Sequence, residues 1–268
     1  MRLKIFLLFV LTLSMYGVEL DAQLTIGARA MSMGQAGTAV PEDHWSVFMN
    51  PALMDNEQLK VGFYGLRNYG FAELTDMAAT ASVPVKWGVV AVGIHRYGNE
   101  LYSENRVRAA YKNSWRQLHI GLVLNYNHIS FGGGYGSGNA MGMDAGIAAE
   151  ITNELMLGAQ ATNLNQASYT AINEDLPRSM SIGMSYHLEE RALFVFDVVK
   201  DVKFPISWRG GVDVEIADQL YGRLGVTAEP FTYSFGFGYR KKLWEVNMAV
   251  QKHQLLGFSP GLDLLLFF

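Results

Sequence analysis

The 268-residue chain has no cysteine. That excludes disulfides, thiolate catalysis, Cys-based metal sites and a lipid anchor carried on a cysteine. It has no cationic surplus either: the formal net charge is −4 and only 17% of residues are charged. Nucleic acid is therefore not an expected partner, since binding it calls for a basic stripe. Beyond the N-terminus there is no uncharged apolar run of about 18 residues, the length a spanning helix needs. The mean hydropathy is also too low for a helical membrane protein. No linker or composition break divides the chain, and one domain is expected.

Glycine and aromatics are abundant: 28 Gly, 15 Phe, 13 Tyr and 5 Trp. They fall in alternating order. From Phe231 to Arg240, aromatics fill the odd positions, and Thr232, Ser234, Gly236, Gly238 and Arg240 fill the even ones. Successive side chains on a strand point to opposite faces, so one face is apolar and the other is not. The pattern recurs. Leu118, Ile120, Leu122, Leu124 and Tyr126 oppose His119, Gly121, Val123, Asn125 and Asn127; Met180 to Leu188, Ile206 to Ile216 and Trp244 to Gln251 read the same way. Less regular segments start near Leu59, Met77, Trp87, Arg106, Met141, Leu155, Ala192 and Leu220. With so few helices to cover this apolar surface, lipid is the economical cover. The fold expected is an all-β, transmembrane antiparallel barrel of about fourteen strands.

Connections alternate in length. Short ones are expected at Pro84 to Lys86, Lys112 to Trp115, Ile151 to Glu154, Leu188 to Arg191, Ala217 to Gln219 and Arg240 to Lys242. Longer ones are expected at Arg67 to Glu73, Tyr97 to Asn105, Ser130 to Gly138, Asn163 to Leu176, Lys200 to Pro205 and His253 to Gly257, with Glu229–Pro230 short where a long one is due. Short periplasmic turns opposite longer outer loops are the rule for such barrels. The chain ends on Phe268, in phase with Leu262, Leu264 and Leu266, a terminus similar to the signal read by outer-membrane assembly machinery.

Residues 1–22 read as a signal peptide. Arg2 and Lys4 give the positive start, Ile5 to Leu13 the apolar stretch, and Ala22 the last residue removed, although Leu20 is large for its position. Residues 59–268 are assigned to the barrel. Ionised groups cost several kcal/mol against lipid. Arg106, Arg108, Asp144, Glu150, Asp197, Arg209, Asp213, Glu215, Arg223 and Arg240 are therefore expected in the lumen or at the rims. No catalytic, metal or cofactor site is expected. His44, His95, His119, His128, His187 and His253 have no ligand spacing, and no Ser–His–carboxylate spacing stands out. Gly132 to Gly138 lacks the Lys and helix of a phosphate loop and reads as a flexible outer loop. Trp45, Trp87, Trp115, Trp208 and Trp244 fall mostly near strand ends, where interfacial belts form.

Residues 23–58 do not alternate, and an N-terminal plug or periplasmic-mouth segment is expected there. They carry Gly27, Ala28, Arg29, Ala30, Met33, Gly34, Ala36, Ala39 and Asp43, then Asn50, Pro51, Ala52 and Leu53. This pattern resembles the start of the PorV/PorQ family of outer-membrane proteins, related to the FadL-type transporters of hydrophobic compounds. Leu157 to Leu164 resembles a later stretch of that family, with Asn165 where the family has Gly. The resemblance implies a FadL-like barrel in the cell outer membrane, in contact with lipid and lipopolysaccharide, and a part in type IX secretion of the Bacteroidota kind through protein partners. A passive channel for a small apolar ligand, or a structural subunit of another assembly, stands as the alternative.

Overall fold

A computed structural model describes residues 25–170, 174–189 and 191–268; the signal peptide assigned to 1–22 lies outside them. Fourteen antiparallel strands close into one barrel. They are β1 (Lys60–Arg67), β2 (Thr75–Val85), β3 (Gly88–Gly98), β4 (Tyr102–Trp115), β5 (Leu118–Phe131), β6 (Gly136–Glu150) and β7 (Leu155–Ala161), then β8 (Ser179–Leu188), β9 (Ala192–Asp201), β10 (Ser207–Ala217), β11 (Leu220–Thr227), β12 (Thr232–Arg240), β13 (Trp244–His253) and β14 (Gly257–Phe267). Each strand pairs with its sequence neighbours, and β1 closes on β14 with Lys60 opposite Phe267.

The alternation places its two faces as the sequence predicts. On β12, Phe235 and Phe237 are 40% and 55% exposed on the outside, while Thr232 and Ser234 are 4% and 3% exposed within the barrel. Leu122, Leu124, Met180, Ile182, Leu224 and Met248 extend the outer apolar band. Such a continuous outer apolar surface suits contact with hydrocarbon, which only helices and closed barrels can span with their backbone groups satisfied. Among the described residues no helix is long and apolar enough to cross a membrane; the outer apolar band lies on the strands.

The core lies inside the cylinder. Residues 25–58 occupy the bore, with a short helix α1 (Ala28–Ser32) and a single turn at Pro51–Leu53. Met31, Trp45 and Met49 pack on Tyr64, Leu66, Ala249 and Leu265. Val47 and Met54 pack on Val89, Ala91, Ala110 and Val123. Met33, Ala36 and Val40 pack on Leu193 and Val195.

Three expectations need correction. Trp45 is no belt residue: it is 1% exposed within the bore. The loops expected at Tyr97 to Asn105 and Ser130 to Gly138 are largely strand, because β4 and β6 run further than the apolar pattern does. There Asn105, His128 and Asn139 align in register one row beyond Val107, Tyr126 and Met141. Polar groups on both faces mark strand that has left the bilayer. The Gly-rich stretch from Gly132 is accordingly a tight turn leading into β6 rather than a flexible loop.

Candidate functional site

The wall is built to receive main chain. Gly121 faces Gly146 across β5–β6, Gly158 faces Gly183 across β7–β8, and Gly211 faces Gly225 across β10–β11. A methyl group added at any of these would run into residues 33–52 of the inner segment or, at Gly183, also into Asp197. At Gly225 it would strike Gly34, which itself holds φ +70° and sits against Val226 and Gly210. Glycine on a strand interior permits this approach of one backbone to another.

Hydrogen bonds then fasten the plug all round. Asp263 on β14 accepts from the Ala28 N–H at 2.8 Å and the Trp45 indole N–H at 3.1 Å. Asp197 on β9 accepts from the Gly37 and Thr38 N–H groups at 2.8 and 2.9 Å. Gly34 N–H donates to Ser234 on β12, and its carbonyl accepts from Thr227 on β11. Asn50 reaches the Ile147 carbonyl on β6, while Arg108 and Lys112 on β4 donate to the Val47 and Met54 carbonyls. Ser185 on β8 donates to the Ala39 carbonyl, and Lys60 on β1 pairs with Asp55. At about 1 kcal/mol for a neutral bond and more for a charged one, the plug does not leave the bore as a body at modest cost.

Inward charges gather on one side. Arg29 of α1 donates through Nε to Asp213 at 3.1 Å, and Arg223 lies 3.0 Å from the other Asp213 oxygen. Arg240 donates to Glu245 at 2.6 Å. Arg223 bonds Asn247, which donates to Asp263 and joins this network to the plug anchor. Burial works against the Arg29 charge, but Asp213 and Asp43 outweigh it and raise the guanidinium pKa. Elsewhere Arg108 pairs with Asp144 at 2.6 Å, Arg106 donates to Asn127, and Glu215 accepts from the Gln219 N–H. Among the positions of the N-terminal motif, Asn50 caps the turn at Pro51–Leu53 by accepting from Ala52 N–H. Ala28, Ala30, Met33, Ala36 and Ala52 are fully packed.

Sequence reasoning left Lys60, Asp76, Glu245 and Asp263 out of the lumen charges and put Lys112 in a short connection, whereas Lys112 to Trp115 end β4 and all five charged residues are buried. Each stands in phase with the lumen face of its strand, so the alternation marks them. Asp76 holds His95 at 2.6 Å. At the short-turn rim, Ser114 lies 2.8 Å from His119 Nδ1 and Glu150 lies 3.0 Å from His119 Nε2. The three residues come from β4, β5 and the end of β6, so no sequence spacing announces them; their bonds brace those strands across the rim. No group of residues able to hold a metal ion occurs among the described residues. Phe268 points outward, and its N–H donates to the Leu59 carbonyl beside the closing seam.

On the long-loop side of the plug lies a cavity of about 420 Å³. Its floor is Gln35, Gly37, Thr38, Phe48 and Met49 of the plug. Its sides come from β7 to β10, β12 and β13, and its mouth from Phe204, Pro205, Leu255 and Leu256. In the opposite half of this end lie residues 162–170 and 174–176, where Tyr169 and Leu176 pack on Ile129 and Ala140. That segment takes over where β7 stops. Asn165 accepts from the Met143 N–H and donates to the Met141 carbonyl, replacing a strand's ladder along β6. Asn163 closes the turn by bonding Ala167 and Leu176.

The closed fourteen-stranded barrel is similar in fold to solved structures of channels. The CymD monoaromatic hydrocarbon channel matches with TM-score 0.68 at 12% identity, over 92% of this chain and 98% of that one. The Pseudomonas putida toluene transporter TodX matches with TM-score 0.66 at 11% identity, over 92% and 96%. A Pseudomonas aeruginosa FadL homologue matches with TM-score 0.59 at 12% identity, over 91% and 98%. No family model matches the chain, and no curated protein matches it in sequence. The likeness is one of fold, to FadL-type barrels; the narrower PorV/PorQ assignment and a role in type IX secretion find no support in it.

Proposed function

We propose that this chain is a non-enzymatic outer-membrane β-barrel acting as a passive, FadL-like channel for small, largely apolar molecules. The observation that carries the reading is the cavity. It lies inside a lipid-facing barrel, over the segment packed in the bore, with Phe48, Met49, Val199, Phe204, Leu255 and Leu256 in its lining. Its volume falls within the range of small-molecule sites, which are mostly apolar with a few placed polar groups. The fold likeness to hydrocarbon channels supports the same reading. Export after cleavage near Ala22, insertion guided by Phe268, and contact of the outer band with lipid and lipopolysaccharide belong to this proposal.

The test is entry of toluene into vesicles with a lipopolysaccharide outer leaflet, with and without the purified protein. Faster entry than into protein-free vesicles, with ion conductance no higher than theirs, is expected. Equal rates with and without protein would refute the reading.

A further inference from the structure

One cationic side chain in the cavity makes no close ion pair with the carboxylate beside it. Arg209 on β10 stands directly across from Asp197 on β9. Yet the Asp197 carboxylate is turned to the plug, where it accepts from Gly37 and Thr38. Among the described residues, ion pairs engage Arg29, Arg108, Arg223 and Arg240, and none engages Arg209. Its NH1 makes only long bonds, 3.3 Å to the Gln35 carbonyl and 3.5 Å to the Thr25 hydroxyl, and its buried Nε has no acceptor. Guanidinium stays charged and acts only as a donor. Across the cavity, the buried Gln160 carboxamide oxygen has no donor. The second Asp197 carboxylate oxygen has no donor either. A buried polar group without a partner costs about 1–3 kcal/mol; of these three lining groups Arg209 is the donor, and a ligand oxygen can accept from it.

The remaining lining narrows the class. Phe48, Tyr69, Phe204 and Pro205 offer flat surfaces suited to a ring. Asp197, Asp201 and Glu229 border the same space, so carboxylates outnumber the single guanidinium and an anionic ligand is disfavoured. We propose that the preferred ligand is a neutral, oxygen-bearing aromatic compound, an aryl ketone, ester or phenol, whose oxygen accepts from Arg209. This rests on the channel reading and adds what that reading leaves open: neither a bare hydrocarbon nor an organic anion is the best fit.

The test measures binding of acetophenone labelled with ¹³C at the carbonyl, of ethylbenzene and of benzoate to the purified full-length protein in detergent. Each is referenced to protein-free micelles. Acetophenone is expected to bind about tenfold more tightly than its hydrocarbon isostere, the scale of one bond to a charged donor. Its carbonyl resonance should move downfield as it accepts that bond. In Arg209→Gln the acetophenone-to-ethylbenzene ratio should fall toward one and the shift should vanish. A wild-type ratio near one, or an unchanged carbonyl shift in the variant, would overturn the proposal, as would benzoate binding more tightly than acetophenone. The wild-type comparison stands even if the variant folds poorly. If ethylbenzene binds while acetophenone gains nothing, only this inference fails; if none of the three binds, the channel reading fails with it.

Discussion

The indole N–H of Trp45 and the carboxylate of Asp263 meet inside the barrel at 3.1 Å, joining the plug to β14, the last strand, which closes the wall on β1. Asp263 is fully buried and also receives Ala28 and Asn247. Asp263→Ala leaves these donors without an acceptor, at about 1–3 kcal/mol each before relaxation. Hydrogen exchange at residues 26–31 and 43–48 should quicken markedly while the strands stay protected. Uniform protection across plug and wall would count against this anchor.

Gly158 tests the close approach. In Gly158→Val the new side chain meets the Thr38 carbonyl and Ala39, and overpacking of this kind costs about 1–3 kcal/mol. The barrel is expected to form, with the plug displaced and ion conductance in planar bilayers raised above that of the wild type. Unchanged conductance together with an unchanged plug would refute the packing described.

Leu122 sits on the outer face of β5 and is 50% exposed. Leu122→Arg should destabilise the barrel by about 2–4 kcal/mol if that position lies near the bilayer midplane. Asn105→Arg, beyond the apolar band, should cost about 0–1 kcal/mol. Urea unfolding in lipid vesicles separates the two; equal losses would mean that the band has been misplaced.

His44 lies in the plug with its ring 5.1 Å from that of Phe267. Burial, reinforced by Lys60, lowers its pKa to about 3 from the usual 6.5. The seated plug therefore holds His44 neutral, while a released plug takes up a proton below pH 6.5. The unseated state binds more protons between these two values, so seating weakens as pH falls from 6.5 toward 3. Plug protection measured by hydrogen exchange at pH 7 and pH 4.5 should drop, and the drop should shrink in His44→Phe. Identical drops in both proteins would assign the effect to other groups.

Asn165 stands in for a strand. Asn165→Ala removes two bonds to the β6 edge, worth about 0.5–1.5 kcal/mol each. Faster exchange at Met143 N–H, with Ala145 to Glu150 unaffected, is expected; protection at Met143 equal to wild type would exclude that role.

The strands were legible because a half-buried sheet repeats every two residues, and Tyr233, Phe235 and Phe237 keep that period without a break. The same rule failed at Asn105, His128 and Asn139. Above the bilayer both faces of a strand meet polar surroundings, and the alternation that identifies it disappears. Trp45 was misplaced because an isolated Trp carries no sign of whether lipid or protein covers it. Asp263 carried a sign, its phase opposite Leu262 and Leu264, but nothing local shows that its partners lie 235 and 218 residues away. The cavity was not legible at all. Arg209 reads as one lumen charge among ten, and only the turning of Asp197 toward the plug sets it apart.

Where the plug meets the wall, peptide backbone is laid on glycine. Exchanging one plug side chain for another leaves most of that seam in place. Removing a single residue between Gly34 and Ala52 would slide amides past their acceptors around much of the circumference. The fit of plug to wall is thus encoded more in chain length than in side-chain identity, and an insertion or deletion in this segment would disrupt it sooner than most substitutions.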